Sequence, residues 1–237
     1  MTRALDPAKY PSLDYEKRLW QAGYQHVAGI DEAGRGALAG PVCAAAVILP
    51  VDPSLTRTLR KVRDSKLMTP LARQAWAPVI QGIAMAWGIG FASAQEIDAL
   101  GIVPATKLAA MRALLEIDRG HSTTGHPSPD LLPDPLSPDY LIPGCLFPDY
   151  LLTDYLVFPG IELPQTALVK GDRLSLSIAA ASVLAKTARD ARMRELDSLY
   201  PIYGFARHKG YGTQFHQEAI RRFGLSEIHR KSFSISR

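Results

Sequence analysis

Residues 42–49, Val-Cys-Ala-Ala-Ala-Val-Ile-Leu, form an unbroken apolar run between Pro41 and Pro50. Eight residues fall far short of the ~20 that span a bilayer. A short apolar run closed by proline at both ends predicts a buried strand. Residues 26–30 predict a second strand just before it. The short connection over 34–40 makes the two an antiparallel pair.

The rest of the chain adds helices to that sheet. Residues 70–81 predict a helix with Thr69 as N-cap and Pro70 at its first position. Residues 87–93 predict a strand, and 94–100 and 104–117 predict helices. The second of these places Leu108, Met111, Leu114 and Leu115 on one face. Residues 119–148 change character, with seven prolines between 127 and 148, and predict an extended insertion. Residues 150–158 predict a strand, 168–171 a short extended piece, and 176–199 a long helix with a small-residue face at 179–182. The remainder reads as helical and basic. The pattern is that of an α/β protein, with an α/β domain over 1–199 and a helical extension over 200–237.

Hydrophobic residues make up 47% of the 237, as in a globular protein. The first 19 residues mix charged and apolar side chains without an apolar signal core, which reads as cytoplasmic. Cys43 and Cys145 are too few for a disulfide scaffold and lack metal-ligand spacing. The net charge is +4, yet from Lys186 onward eleven Lys and Arg face five Asp and Glu. A basic C-terminal segment suits a phosphate backbone, although a solvated helical face has the same composition.

Four acids stand at strand ends or beside glycine. Asp31 and Glu32 close the first strand, Asp154 lies within Leu151-Leu152-Thr153-Asp154-Tyr155-Leu156, and Asp172 follows Lys170-Gly171. A carboxylate among apolar strand residues is costly to bury unless neutralised. Adjacent strand residues point to opposite faces, so Asp31 and Glu32 share a cleft only if a turn begins by Glu32. Four converging carboxylates repel one another enough to force protonation. Two divalent cations cancel the charge instead, and oxygen ligands without His or Cys suit Mg²⁺ or Mn²⁺. Two such ions ~4 Å apart support phosphodiester chemistry. Taken singly, each acid reads more readily as a helix cap or a surface residue; the set carries the argument.

Residues 29–41, Gly-Ile-Asp-Glu-Ala-Gly-Arg-Gly-Ala-Leu-Ala-Gly-Pro, follow a strand. No Gly-Lys-Ser/Thr ends them, and the acids precede the glycines, which excludes a Walker A loop and a dinucleotide fingerprint. Without Cβ atoms, Gly34 and Gly36 let backbone approach a ligand closely. Such a loop can probe a 2′-hydroxyl, which is both donor and acceptor, while Arg35 can hold a phosphate. A tight structural turn is the plainer alternative.

This stretch resembles the signature of the ribonuclease HII family. So do Asp64-Ser65-Lys66, Lys170-Gly171-Asp172, Ile178-Ala179-Ala180-Ala181-Ser182-Val183-Leu184-Ala185-Lys186 and Arg189-Asp190. Further on, Tyr200-Pro201, Gly204-Phe205, His208-Lys209-Gly210-Tyr211-Gly212-Thr213, His216, and His229-Arg230 with Ser232-Phe233 match as well. The motifs keep the family's order over most of the chain. The resemblance implies a ribonuclease H-like mixed sheet flanked by helices, with a helical C-terminal extension. It implies an endonuclease that cuts 5′ of ribonucleotides in RNA–DNA hybrids and in duplex DNA, leaving 3′-hydroxyl and 5′-phosphate ends.

By motif, Asp31, Glu32, Asp154 and Asp172 match the family's metal-binding carboxylates, for two Mg²⁺ or Mn²⁺ ions. Gly34, Arg35 and Gly36 match its 2′-hydroxyl-sensing loop. Tyr211 matches the tyrosine that stacks on the sugar at the ribonucleotide–deoxyribonucleotide junction, a task suited to a flat ring. Ser65, Lys66, Lys170, Ser182, Lys186 and Arg189 are candidates for contacts with the nucleic-acid backbone or for supporting the acids; for the basic ones, internal ion pairs are the alternative. His208, His216 and His229 are expected to be structural. The expected partner is ribonucleotide-containing duplex, not a membrane, and the expected state is a monomer.

The proline-rich stretch is longer than the family pattern leads one to expect. Its repeated Pro-Asp-Tyr-Leu makes Asp139 and Asp149 rivals of Asp154 for the third carboxylate. Asp154 is preferred for its apolar strand and its spacing from Asp172. Two other classes compete: a metal-dependent nuclease such as a junction resolvase, which needs no ribose sensor, and a non-catalytic nucleic-acid-binding module, which has no use for buried acids.

Overall fold

The computed structural model describes residues 10–119, 148–159 and 161–234, without the side chains of 118 and 119. Five strands, β1 (Val27–Ala33), β2 (Val42–Ile48), β3 (Ala86–Ala92), β4 (Tyr150–Asp154) and β5 (Gln165–Leu168), form one sheet in the order β3-β2-β1-β4-β5. β1, β2 and β3 are antiparallel neighbours, while β4 and β5 run parallel to β1. The apolar run becomes β2, and all seven of its residues are buried.

Helices cover both faces. They are α1 (Asp14–Gln21), α2 (Leu55–Thr58), α3 (Pro70–Ile83), α4 (Ala94–Leu100), α5 (Ile102–Arg119), α6 (Leu176–Leu199), α7 (Phe205–His208) and α8 (Gln214–Phe223). The alternation of a strand divides β2 between two cores. Cys43, Ala45 and Val47 pack with α3 and α6, whereas Val42, Ala44, Ala46 and Ile48 pack with α5. α3 starts as expected, the Thr69 hydroxyl accepting from the Ala72 N–H. α6 spans 176–199 as expected and is capped by Ser175. It lies so close to β1 that a Cβ on Gly29 would sit 2.2 Å from the Ser177 carbonyl carbon. Beyond α6, Tyr203, Phe205, Ala219 and Ile220 close a third core against Met193 and Leu196.

Several boundaries differ from the sequence expectation. β1 continues through Glu32 to Ala33 because its ladder with β2 holds as far as Ala33 and Cys43. β4 stops at Asp154 rather than at 158; Tyr155 turns left-handed at φ 66°, and the Thr153 hydroxyl donates to the Leu156 carbonyl. β5 precedes the extended piece expected over 168–171, where Lys170 is left-handed and Gly171–Arg173 forms a 3-10 turn. The buried stripe of α5 is made by Ala105, Ala109, Ala110, Ala113, Leu114 and Ile117, while Leu108 and Met111 are only partly buried. The small stripe has a cause in β3: Cβ atoms on Gly88 and Gly90 would lie 2.0 and 2.1 Å from α5 carbonyl oxygens. Nearly all of the proline-rich insertion, with Asp139 and Cys145, lies outside the described residues.

Candidate active site

β1 and β4 run side by side, with Ile30 opposite Thr153. One residue further, Asp31 and Asp154 are neighbours at the carboxyl ends of two parallel strands. Both belong to the face that α6 covers. Gly29, two residues before Asp31, abuts Ser177, and Leu152, two before Asp154, packs with Ile178. Asp172 arrives from the 3-10 turn after β5. One carboxylate oxygen from each of the three lies within 4.8 Å of the others.

The surrounding backbone and hydroxyls fix these groups. The Gly171 N–H donates to Asp154 Oδ1 at 2.8 Å, and the Glu32 N–H donates to Asp31 Oδ1 at 2.7 Å. The Ser182 hydroxyl, bonded to Ser65 Oγ at 2.8 Å, favours the Asp31 charge. Ser182 thus reaches Asp31, and Ser65 is buried behind it.

Glu32 stands outside the close trio. Because β1 stays regular, Glu32 begins on the opposite face from Asp31, and the turn expected at Glu32 is absent. Its Oε1 pairs with Arg35 at 3.3 Å, and its Oε2 is buried with no partner among the described residues. It still feels the charges of Asp154 and Lys66, so it borders the same cleft.

The electrostatics are those of a site short of positive charge. Burial, then Glu32 and Asp154, push the Asp31 carboxyl well above its usual range. Burial, then Asp64 and Asp154, raise Asp172 to about 7. Burial raises Glu32, and Arg35 pulls it partly back. Burial disfavours the Lys66 ammonium, but Asp31, Asp64, Asp172 and Glu32 outweigh it and raise its pKa. Crowded carboxylates with raised pKa values, an orphaned Glu32 oxygen and an all-oxygen donor set fit hard divalent cations.

The other candidates fall into two groups. Gly34 is left-handed at φ 95° and buried, whereas Gly36 is exposed and a Cβ there would meet nothing within 4 Å. The Tyr211 ring has Lys186 Nζ at 5.4 Å and the Arg189 guanidinium at 5.3 Å. Lys170 is exposed beside Asp172. By contrast, Lys186 is tied to Asp190 at 2.6 Å, which Arg73 also holds at 3.1 Å. Arg189 is fully buried and donates to the carbonyls of Pro41, Ala39 and Lys209. The rival Asp149 accepts from the N–H groups of Gln25 and His26, at the opposite end of β4. His208, His216 and His229 are buried and hydrogen-bonded to one another or to their surroundings.

Sequence reasoning passed over two residues. Asp64, 4% exposed, stands against Asp172 and pairs with Arg173 at 3.1 Å. Arg230, 1% exposed, donates to the carbonyls of Gly34, Arg35 and Gly40. Both lie in motifs that were read for their neighbours: Asp64 beside Ser65 and Lys66, Arg230 beside His229.

The family model described as ribonuclease HII matches residues 28–121 and 155–236; Asp154 falls just outside the second span. A ribonuclease HII of Synechococcus sp. (strain JA-3-3Ab) is 46% identical over 232 residues, covering 97% of this chain and 91% of the relative. The ribonuclease H2 of Pyrococcus horikoshii OT3 superposes with a TM-score of 0.62 at 22% identity, covering 88% of this chain and 94% of that one. The Bst RNase HIII in complex with Mn²⁺ superposes with a TM-score of 0.63 at 17% identity, covering 91% and 69%. The sheet order, the flanking helices and the acids gathered at its strand ends are those of a ribonuclease H fold, and the matching family model and relatives make the chain a metal-dependent hydrolase of phosphodiester bonds. Within that class, the chain belongs to the ribonuclease HII family. Endoribonuclease action on RNA–DNA duplexes is the activity that family, fold and acid cluster support together. Among the described residues, no helix is long and apolar enough to cross a membrane.

Proposed function

We propose that the protein hydrolyses the phosphodiester 5′ of ribonucleotides in RNA–DNA hybrids, and of single ribonucleotides within duplex DNA. The products carry 3′-hydroxyl and 5′-phosphate ends. The observation that carries this reading is the meeting of Asp31, Asp154 and Asp172 within 4.8 Å, beside a loop that is open at Gly36.

Asp31, Glu32, Asp154 and Asp172 would hold two Mg²⁺ or Mn²⁺ ions. Bound there, such ions activate a water and stabilise the leaving oxygen. The chain's own groups do the rest. Lys66, kept charged by the surrounding acids, meets a phosphate at the cleft, and exposed Lys170 meets the backbone further along. Gly36 lets the loop backbone reach the sugar, where its polar groups address the 2′-hydroxyl. Tyr211 offers its ring to the sugar at the junction, with Lys186 and Arg189 fixing its place. Ser65 and Ser182 keep Asp31 oriented. On this reading, 1–199 is the catalytic domain and 200–237 its extension, working in the cytoplasm.

The test is turnover of a duplex carrying one ribonucleotide, with Mg²⁺ or Mn²⁺ and then with excess chelator. Cleavage that needs the ion supports the reading; cleavage indifferent to it contradicts the reading.

A further inference from the structure

Two guanidinium groups are buried behind the glycine loop, and neither forms a salt bridge among the described residues. Arg189 is 0% exposed and Arg230 is 1% exposed. Arg230 donates to the carbonyls of Arg35 at 2.7 Å, Gly34 at 2.8 Å and Gly40 at 2.9 Å. Arg189 donates to those of Pro41 at 2.9 Å, Lys209 at 3.0 Å and Ala39 at 3.3 Å. Burying like charges without counter-ions is expensive, and burial followed by the Arg189 charge lowers the Arg230 pKa to about 9. What this arrangement secures is the orientation of one loop. A planar fork with five donors fixes several carbonyls at once.

The same loop is held from the tail. The Arg230 N–H donates to the Leu38 carbonyl at 2.9 Å, and the Gly40 N–H donates to the Ile228 carbonyl at 2.8 Å, with Ala39 and His229 bridged between them. Asp98 on α4 anchors the tail in turn, accepting from the Lys231 and Ser232 N–H groups at 2.9 Å each and from the Ser232 hydroxyl at 2.6 Å. With the carbonyls of Gly34 and Arg35 drawn onto Arg230, the N–H groups of Arg35 and Gly36 have no protein acceptor among the described residues.

We infer that Arg230 is a positioning residue for ribose recognition: it turns the loop carbonyls inward and leaves the Arg35 and Gly36 amides as donors for the ribonucleotide. The inference rests on the nuclease reading above. It makes the tail over 228–232 part of the specificity machinery, although Arg230 touches no reacting atom.

The test compares wild type, Arg230→Lys and Asp98→Asn. Equilibrium binding is measured on two duplexes that differ in one 2′-hydroxyl, together with kcat and KM on the ribonucleotide duplex and the thermal shift caused by Mn²⁺. Arg230→Lys keeps the charge but loses the fork. The expected result is at least a tenfold loss of preference for the ribonucleotide duplex and a fall in kcat/KM, while binding of the all-deoxy duplex and the Mn²⁺ shift stay unchanged. Asp98→Asn, at the surface, gives a loss of about threefold in the same direction. The inference is overturned if Arg230→Lys keeps the preference, or if all-deoxy binding and the Mn²⁺ shift fall in the same proportion. Should Arg230→Lys fail to fold, Asp98→Asn decides: an unchanged preference overturns the inference. A wild type that cleaves no ribonucleotide duplex is a separate result and overturns the nuclease reading itself.

Discussion

A Cβ added to Gly34 would lie 1.8 Å from Nε of Arg189. Gly34 also holds φ at 95°, so both the backbone and the buried guanidinium exclude a side chain there. Two positions on, a Cβ on Gly36 meets no protein atom within 4 Å. Packing therefore fixes Gly34, while the space at Gly36 is left for the proposed substrate contact. Gly34→Ala is expected to cost about 2 kcal/mol or more in stability. Gly36→Ala is expected to stay within about 0.5 kcal/mol of wild type, yet to lower kcat/KM roughly tenfold, or about 1.4 kcal/mol of transition-state stabilisation. Chemical denaturation and steady-state kinetics check the pair.

Asp154 and Asp149 sit at opposite ends of β4, and different duties are expected of them. Asp154→Asn is expected to abolish turnover and leave the melting temperature unchanged or higher, since a repelling charge is gone. Asp149→Asn weakens its bonds to the Gln25 and His26 amides, costs about 1 kcal/mol, and leaves turnover intact. Asp139→Asn is likewise expected to be active. An inactive Asp139→Asn beside an active Asp154→Asn reverses the assignment.

Divalent cations are expected to relieve the crowding of Asp31, Asp154 and Asp172 and so to stabilise the fold. At a hundredfold excess over Kd the gain is about 2.7 kcal/mol, or roughly 5–10 °C for a chain of this size. Thermal melting with Mg²⁺ or Mn²⁺ against chelator reads it. Asp31→Asn is expected to cancel most of that shift while melting higher than wild type in chelator.

Burial lowers His216 and His229 to about 4. Their hydrogen bonds set the neutral tautomers. His216 Nδ1 faces the Tyr211 carbonyl, His229 Nδ1 accepts from the Ser226 N–H, and the two Nε2 atoms share one proton at 3.1 Å. The unfolded chain takes up protons near pH 6.5, whereas the folded one resists until about 4. Stability is therefore complete above 6.5 and is lost as pH falls toward 4, by about 1.4 kcal/mol per unit per histidine at most. The buried acids with raised pKa values act in the opposite sense. The histidine part is read as the difference between wild type and His229→Gln, whose melting temperature is expected to fall less steeply from pH 7 to 4.5.

The sequence made β2, α3 and α6 plain because each rests on local signals: a proline-bounded apolar run, a capping threonine with proline, and a long small-residue face. The partnership of Asp31, Asp154 and Asp172 was legible from isolated acids in apolar or glycine settings. The end of β1 was placed too early because strand pairing with β2, not local turn preference, carries the strand through Glu32 to Ala33. The alanine stripe of α5 was missed because Gly88 and Gly90, on a different element, create the close approach that favours it. Arg230 escaped notice for a related reason. Its meaning lies in carbonyls almost two hundred residues away in the chain, and no local pattern announces that contact.

The most direct measurement is cleavage of two duplexes, identical except that one carries a single ribonucleotide, with the product ends mapped in Mg²⁺. The expected result is one cut on the 5′ side of the ribonucleotide, with a 3′-hydroxyl and a 5′-phosphate, and no cut in the all-deoxy duplex. Equal cutting of both, or none of either with the carboxylates intact and metal bound, contradicts the union of an ion-binding acid cluster with a ribose-sensing loop.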